Sequence, residues 1–376
     1  MSNNETNLMK DRLGLKAVEK ISFNLQKIYP KFNGDKFIID AMKGLSALEL
    51  KARVNHLIEI LHQYLPEDFD KTAKILIRLA KQWQNNRKLD GFAGFGIWPI
   101  IDYVGVYGLD HPNQSLDVLE VLTPLFSAEF AIRPFINAHY AITHARFLKW
   151  VEHESDDVRR LISEGTRPKL PWGLQLKQFI KDPSDVIELL DLLKNDDAEY
   201  VRRSVANNLN DISKDHPQLV VDTCKAWLKK STKAKYANQM WIAKRATRGL
   251  IKQGYSPAFA LLGYTDELDI EVKNLNIKNV EIKMGDHLEF EFDLISNKSQ
   301  KFVLDYAIYF MKSNGKLAPK IFKLKNMDVG SAKTINIRKK QMFKLISTRK
   351  YYSGEHKLEI ILNGARYAMH DFMLEM

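Results

Sequence analysis

The chain has 376 residues, too many for one compact core, with the 45% hydrophobic and 27% charged content of an ordinary soluble globular protein. Its 57 Lys and Arg exceed 46 Asp and Glu, and the resulting formal charge of +11 points to a polyanionic partner such as nucleic acid. A single cysteine, Cys224, excludes an intrachain disulfide, and no apolar run reaches the roughly 20 residues that span a bilayer.

Taken in chain order, the polar start Met1–Asn7 lacks the basic-then-apolar pattern of an export signal, so the expectation is a cytoplasmic protein with no membrane partner. Leu48, Ala52, Val54, Leu57, Ile58, Leu61 and Leu65 recur at helical spacing up to Pro66, and Ala73, Leu76, Ile77 and Ala80 repeat the pattern towards Trp83. Gly91-Phe92-Ala93-Gly94-Phe95-Gly96 lacks the following Lys-Ser/Thr of a phosphate loop and reads as a turn. His153-Glu154 begins a zinc-protease pattern, but Asp157 stands where the second histidine belongs. His139 and His144 are five apart, on different helix faces, and no metal site is expected.

Val158-Arg159-Arg160-Leu161-Ile162 is echoed by Val201-Arg202-Arg203-Ser204-Val205 and, more weakly, by Ala243-Lys244-Arg245-Ala246-Thr247. Offsets of about 42–43 residues fall in the range of HEAT-type helix pairs, whose apolar faces are buried only when neighbours stack into a solenoid. In the clearest copy, Asp185–Leu193 is the first helix, Asn195–Asp197 the turn and Glu199–Ile212 the second helix. Cys224 falls in an apolar helical pattern and reads as a small buried hydrophobe.

Near residue 265 the period drops to two. Leu288, Phe290, Phe292 and Leu294 alternate with acids, and strands are expected at Phe302–Met311, Lys320–Lys325, Lys333–Arg338, Lys357–Leu362 and Tyr367–Leu374. Seven or so short strands separated by turn-rich stretches predict an immunoglobulin-like β-sandwich held by packing alone. The predicted architecture is an α-helical solenoid of HEAT-like repeats over residues 1–265 followed by that sandwich over residues 266–376.

Three segments of the helical half combine acids, basic residues and aromatics: Ser127–Phe135 with Glu129, Val158–Trp172 with Arg160, Glu164, Arg167, Lys169 and Trp172, and Ser204–Asp211. Plainer readings exist for each. Glu129 could favour a helix dipole from a first turn, Asp211 could be a surface or packing acid, and Trp172 could be core. Arg159 and Arg202 read as structural partners of neighbouring acids. The sandwich segment Val329–Gly354 holds seven basic residues and no acid, among them Arg338, Lys339 and Lys340, interleaved with Phe343, Tyr351 and Tyr352. It reads either as a solvated basic face or as a phosphate-gripping surface. On residues alone, a catalytic protein and a non-catalytic repeat scaffold for DNA or protein both remain open.

Ser-Glu-Gly-Thr-Arg-Pro-Lys-Leu-Pro-Trp at 163–172, Glu-Phe-Ala-Ile-Arg-Pro-Phe at 129–135 and Val-Arg-Arg-Ser-Val-Ala-Asn-Asn-Leu-Asn-Asp at 201–211 together resemble the AlkC family of bacterial alkylpurine DNA glycosylases. Leu45–Val54 looks similar as well, and the carboxy-terminal strands resemble the immunoglobulin-like domain of some members. Thr166 and Lys169 stand where the family often has Ser and Arg. The resemblance implies release of N3-methyladenine and N3-methylcytosine from double-stranded DNA in base excision repair, by a monomer without metal, cofactor, lyase step or full base flipping. Carried over by position, Glu129, Glu164, Asp211 and Trp172 form the catalytic set. Arg160 and Arg167 would hold the backbone around the lesion; Lys169 and Arg203, and from the basic run of the sandwich Arg338, Lys339 and Lys340, are further expected DNA contacts.

The chemistry has its own logic. A base methylated at N3 is already cationic, so its departure needs no general acid; the remaining demand is to follow positive charge onto the deoxyribose and to activate water. Only an attraction that grows between ground and transition state raises the rate. One carboxylate about 4 Å from a full charge is worth about 4 kcal/mol at an effective dielectric near 20. If half of that belongs to the transition state alone, the gain is roughly thirtyfold. An indole face over a desolvated cation adds about 2 kcal/mol.

Overall fold

The computed structural model describes residues 8–85, 95–346 and 349–376. The start Met1–Asn7 and Gly91–Gly94 of the glycine-bearing turn lie outside the described residues. The chain forms two compact units divided between Asp215 and His216.

The first unit is helical. The stripes around Leu57 and Leu76 become helices Leu50–Tyr64 and Phe69–Asn85; the former stops two residues short of Pro66, whose ring cannot continue it. Leu57, Leu61, Leu76, Leu79, Trp83 and Trp150 are all buried, so both tryptophans are core. Two helix pairs follow, Tyr140–Trp150 with Asp156–Gly165 and Ser184–Leu193 with Glu199–Ile212, and the second helices of the two pairs pack directly on each other. Val158, Leu161 and Ile162 of the one helix and Val201, Val205 and Leu209 of the other are all fully buried.

The repeated Val-Arg-Arg acquires a physical explanation. Arg159 Nη1 donates to the carbonyls of His153 and Glu154, and Arg202 Nη1 to those of Asp196 and Asp197. In each copy the first arginine thus clasps the turn that precedes its own helix. Arg159 also reaches the next repeat, pairing with both oxygens of Asp196 at 2.6 and 3.0 Å. These two arginines are structural; of the second arginines, Arg203 is exposed, whereas Arg160 is largely buried. The echo at Ala243 is not equivalent. Its residues fall at the end of helix Lys233–Ala246, whereas Val158 and Val201 stand in the first turns of theirs.

Among the described residues the second unit carries four helices, Pro217–Lys229, Lys233–Ala246, Arg248–Gln253 and Ser256–Leu261, and then eight strands. Cys224 is buried in the first of these helices, and burial pushes its thiol up to about 12. The strands are β1 (Ile270–Ile277), β2 (Glu281–Lys283), β3 (His287–Ser296), β4 (Gln300–Met311), β5 (Leu317–Val329), β6 (Lys333–Met342), β7 (Gly354–Leu362) and β8 (Ala365–Glu375). One sheet has the order β1-β3-β6 and the other β2-β8-β7-β4-β5, with β2 parallel to β8 and every other pair antiparallel. Phe290 and Phe292 from one sheet and Phe302, Tyr306, Leu358 and Phe372 from the other fill the core between them. Two strands escaped the sequence pattern. The alternation of β1 is broken by an irregularity between Lys273 and Asn276, where Asn274 turns left-handed, and β2 has only three residues.

An irregularity in β4 between Leu304 and Asp305 turns Asp305 into the structure at 7% exposure, leaving Oδ1 without a partner among the described residues. Burial raises its carboxyl from an ordinary 3.8 to about 6. The folded state therefore holds this proton more tightly than the unfolded chain, and stability falls as pH rises from about 4 through about 6. Asp305→Asn is expected to stabilise the protein by about 1–3 kcal/mol at pH 8. That gain should disappear below pH 4, as read from unfolding curves at both values. A variant no more stable at pH 8 contradicts the assignment.

Among the described residues no helix is long and apolar enough to cross a membrane.

Candidate active site

The three acids singled out from the sequence come together, and two arginines join them. Glu164 lies one residue before the end of helix Asp156–Gly165, 4% exposed; Asp211 sits in helix Glu199–Ile212, 2% exposed. Helix-on-helix packing brings them to one place, fastened by Asn208 Nδ2, which donates to the Ser163 carbonyl and the Thr166 hydroxyl. Glu129 precedes helix Arg133–Ala138 rather than occupying its first turn, so the helix-dipole explanation does not apply.

The guanidinium groups bridge the acids in series. Arg160 Nη1 donates to Glu129 Oε2 at 2.7 Å and to Ser127 Oγ at 2.6 Å, and its Nη2 lies 3.5 Å from Glu164 Oε2. Arg167 Nη1 donates to Glu164 Oε1 at 2.6 Å and its Nε to Asp211 Oδ2 at 2.9 Å. Ser204 Oγ donates to the remaining oxygen of Glu164, and Lys214 Nζ to that of Asp211. The Ser127 hydroxyl donates to Glu129 Oε2, while Glu129 Oε1 accepts nothing among the described residues. Burial opposes the charge on Arg160 and on Arg167, but the carboxylates outweigh it and hold both guanidinium groups above their usual pKa. The acids are thus neutralised in place, a condition for keeping such a cluster buried at all.

Arg133 was not expected here. It stands in an otherwise apolar run and is fully buried; its Nε donates to the Leu174 carbonyl at 2.5 Å and its Nη1 to the Gly165 carbonyl at 2.7 Å. Nη2 has no partner among the described residues. Burial, aided by Arg167, pushes this arginine down to about 10 against the pull of Asp211, Glu129 and Glu164. One side chain therefore joins the end of the Glu164 helix to the segment that carries Trp172.

Trp172 is 69% exposed, which rules out the core reading, and it has φ +64°. A bulky residue held left-handed is strained. The segment is anchored on both sides: Leu170 and Leu176 are buried, Gly173 N–H donates to the Leu170 carbonyl and Leu176 N–H to that of Pro168. An exposed indole in a strained conformation serves no packing end. Trp172→Gly is expected to be more stable than Trp172→Ala by about 1 kcal/mol, because glycine adopts this conformation freely. Equal unfolding midpoints for the two variants contradict the strain.

The other expected cations are placed as follows. Lys169 pairs with Asp215 at 2.7 Å, and the exposed Arg203 pairs with Glu199 one turn away. On the sandwich, the antiparallel register sets Arg338 and Lys340 opposite Glu291 and Glu289 of β3, and both form ion pairs there. Lys339 lies between them, half-buried, opposite Phe290. A second basic region surrounds a cleft of about 480 Å³ lined by Lys312, Lys320, Arg349, Lys350 and Tyr352, where Arg349 covers the Phe310 ring at 4.0 Å. Sequence reasoning also missed Tyr200, whose ring lies 5.1 Å from the Arg160 guanidinium, and the hydroxyls of Ser127 and Ser204. Only the repeat register brings these into view. Among the described residues no group of three or more His, Cys, Asp or Glu is arranged to hold a metal ion.

A family model described as the C-terminal Ig-like domain of the uncharacterised protein YhaZ matches residues 271–376. The uncharacterised protein YhaZ of Bacillus subtilis is 35% identical over 357 residues, covering 95% of this chain and 96% of its own. The solved structure of Pseudomonas fluorescens alkylpurine DNA glycosylase AlkC, bound to DNA containing an abasic site analog, superposes with a TM-score of 0.87. It is 35% identical and covers 98% of this chain and 99% of its own.

Proposed function

The chain belongs to the AlkC-type family of alkylpurine DNA glycosylases with a C-terminal immunoglobulin-like domain, and from that premise we propose that it hydrolyses the N-glycosidic bond of cationic alkylated bases, N3-methyladenine and N3-methylcytosine, in double-stranded DNA. The observation that carries this reading is the buried series Glu129–Arg160–Glu164–Arg167–Asp211, with a strained, exposed Trp172 on the segment that Arg133 fastens to the end of the Glu164 helix. A scaffold has no use for it.

The reaction is monofunctional. The bond from C1′ to the base nitrogen breaks, its electron pair neutralises the cationic base, and positive charge appears on the deoxyribose. Water closes the new C1′–O bond and its proton passes to a carboxylate. Glu129 suits that last step, being the most exposed of the three acids, at 18%, with its Oε1 unengaged among the described residues. Glu164 and Asp211 supply fixed negative potential and hold Arg167. Trp172 lies against the lesion or its sugar. A neutral base gains little from any of these groups, and that difference supplies selectivity. The leaving group is already charged, so the reading calls for no metal or cofactor. It also suits a base that is not fully extruded from the duplex.

We assign catalysis to residues 1–265 and DNA clamping to residues 266–376 of a monomer working in the cytoplasm, with Arg160, Arg167, Lys169 and Arg203 near the lesion and Arg338, Lys339 and Lys340 on the sandwich. The lysines and Arg349 around the β4–β5 cleft support a phosphate-gripping role for that domain. Reversing Lys320 and Lys350 to Glu should lower the slope of log affinity against log salt by about 2. An unchanged slope removes the cleft from the DNA contact.

The test of function is direct. Incubated with methylated duplex DNA, the protein should release free N3-methyladenine well above the spontaneous rate, in the presence of EDTA. DNA binding without release favours a non-catalytic scaffold.

A further inference from the structure

Three acids gathered at one site would repel one another, and here each is held by a cation that already belongs to the protein. The three arginines are not held alike. Arg133 is fixed by two main-chain carbonyls inside the unit. Arg167 spans Glu164 and Asp211 with two short bonds from its Nη1 and Nε. Arg160 is held at one end, by Nη1 bonds to Ser127 Oγ at 2.6 Å and Glu129 Oε2 at 2.7 Å, and loosely elsewhere. Its Nη2 contact with Glu164 is long, at 3.5 Å, and its Nε is buried with no partner among the described residues, a costly condition for a charged donor.

The surroundings of Arg160 are distinctive. A flat, delocalised cation lies between the carboxylates of Glu129 and Glu164, against the ring of a half-exposed Tyr200. Two carboxylates and an aromatic face are what a planar N-methylated base cation requires. We propose that Arg160 is an internal counter-ion occupying the seat of the lesion, and that a cationic base enters by exchanging with it. A neutral base cannot replace a guanidinium between two carboxylates, so the exchange itself discriminates. The displaced guanidinium then lies beside a polyanion and pairs with a phosphate. This inference rests on the glycosylase reading, since it names how that site chooses its substrate.

The experiment uses the full chain and two duplexes whose target sugar carries a 2′-fluorine that blocks cleavage, one with N3-methylcytosine and one with cytosine at the same position. The quantity read is the ratio of the two affinities. Removing the competing charge in Arg160→Gln should raise the ratio by about tenfold, the effect of relieving one charge competition in a partly wet site. Arg160→Lys keeps a charge but loses the planar contacts, and should fall between wild type and Arg160→Gln. It also serves as the informative variant if the glutamine protein does not fold. A ratio that stays flat or drops in the variants overturns the exchange and makes Arg160 part of the lesion's own binding site. Base release by the wild type is scored separately. Release with a flat ratio overturns the exchange alone; a rising ratio without release overturns the glycosylase reading alone.

Discussion

Glu164→Gln is expected to slow base excision by on the order of 10²–10³-fold and to destabilise the protein by about 3 kcal/mol. Both effects come from one side chain that is nearly out of contact with solvent and that holds Arg167 at 2.6 Å, Arg160 at 3.5 Å and the Ser204 hydroxyl. Glutamine has the same shape and keeps an acceptor for Ser204, so no cavity forms. What disappears is the negative charge, leaving two guanidinium groups to share Glu129 and Asp211. A cationic base then meets one negative charge fewer than before, and charge developing on the sugar is no longer matched. Single-turnover excision on a defined lesion, alongside calorimetric unfolding, separates the two effects. Lost stability with an unchanged rate would make Glu164 a structural residue only, as would full recovery of the rate at a temperature where the variant is folded.

Arg133→Met should produce the second largest effect. The substitution fills much of the same space but leaves the carbonyls of Gly165 and Leu174 without their donor. It also takes one positive charge from beside three acids. A loss of about 3–5 kcal/mol is expected from unpairing buried groups of this kind. Because Leu174 lies two residues beyond Trp172, the strained indole should lose its fixed position as well. Limited proteolysis reads this directly, with new cleavage within residues 171–174 in the variant. Arg133→Lys should not restore the segment, since one ammonium on a flexible stem does not reproduce two guanidinium bonds at set angles. Rescue by lysine, or an uncut segment in the methionine variant, contradicts the role given to Arg133.

Particular residues show why some of this was legible beforehand and some was not. The alternation Leu288–Leu294 predicted β3 because one face of that strand is core and the other is not. β1 hid because Asn274 breaks its period. Val158 and Val201 announced the helix pairs because Arg159 and Arg202 clasp their own turns in the same way, within six residues. The third echo falls at the end of its helix and not in the first turn. The acids Glu129, Glu164 and Asp211 were named through the family resemblance, but their state was not foreseen. Arg160 meets Glu129 across 31 residues and Arg167 meets Asp211 across 44, and composition carries no such register. For the same reason the basic run of β6 looked unopposed. Its counter-charges, Glu289 and Glu291, belong to the neighbouring strand. An electrostatic attraction between acids and lesion was therefore half of the account; the other half is that those acids arrive already paired.

The most direct test is the structure of this protein on a duplex bearing a cleavage-resistant N3-methylcytosine. The account predicts the charged ring within about 4 Å of Glu129 and Glu164, the Trp172 indole against the base or its sugar, and the guanidinium of Arg160 moved off Glu129. A lesion seated elsewhere, with the pairs Glu129–Arg160 and Glu164–Arg167 undisturbed, would contradict it.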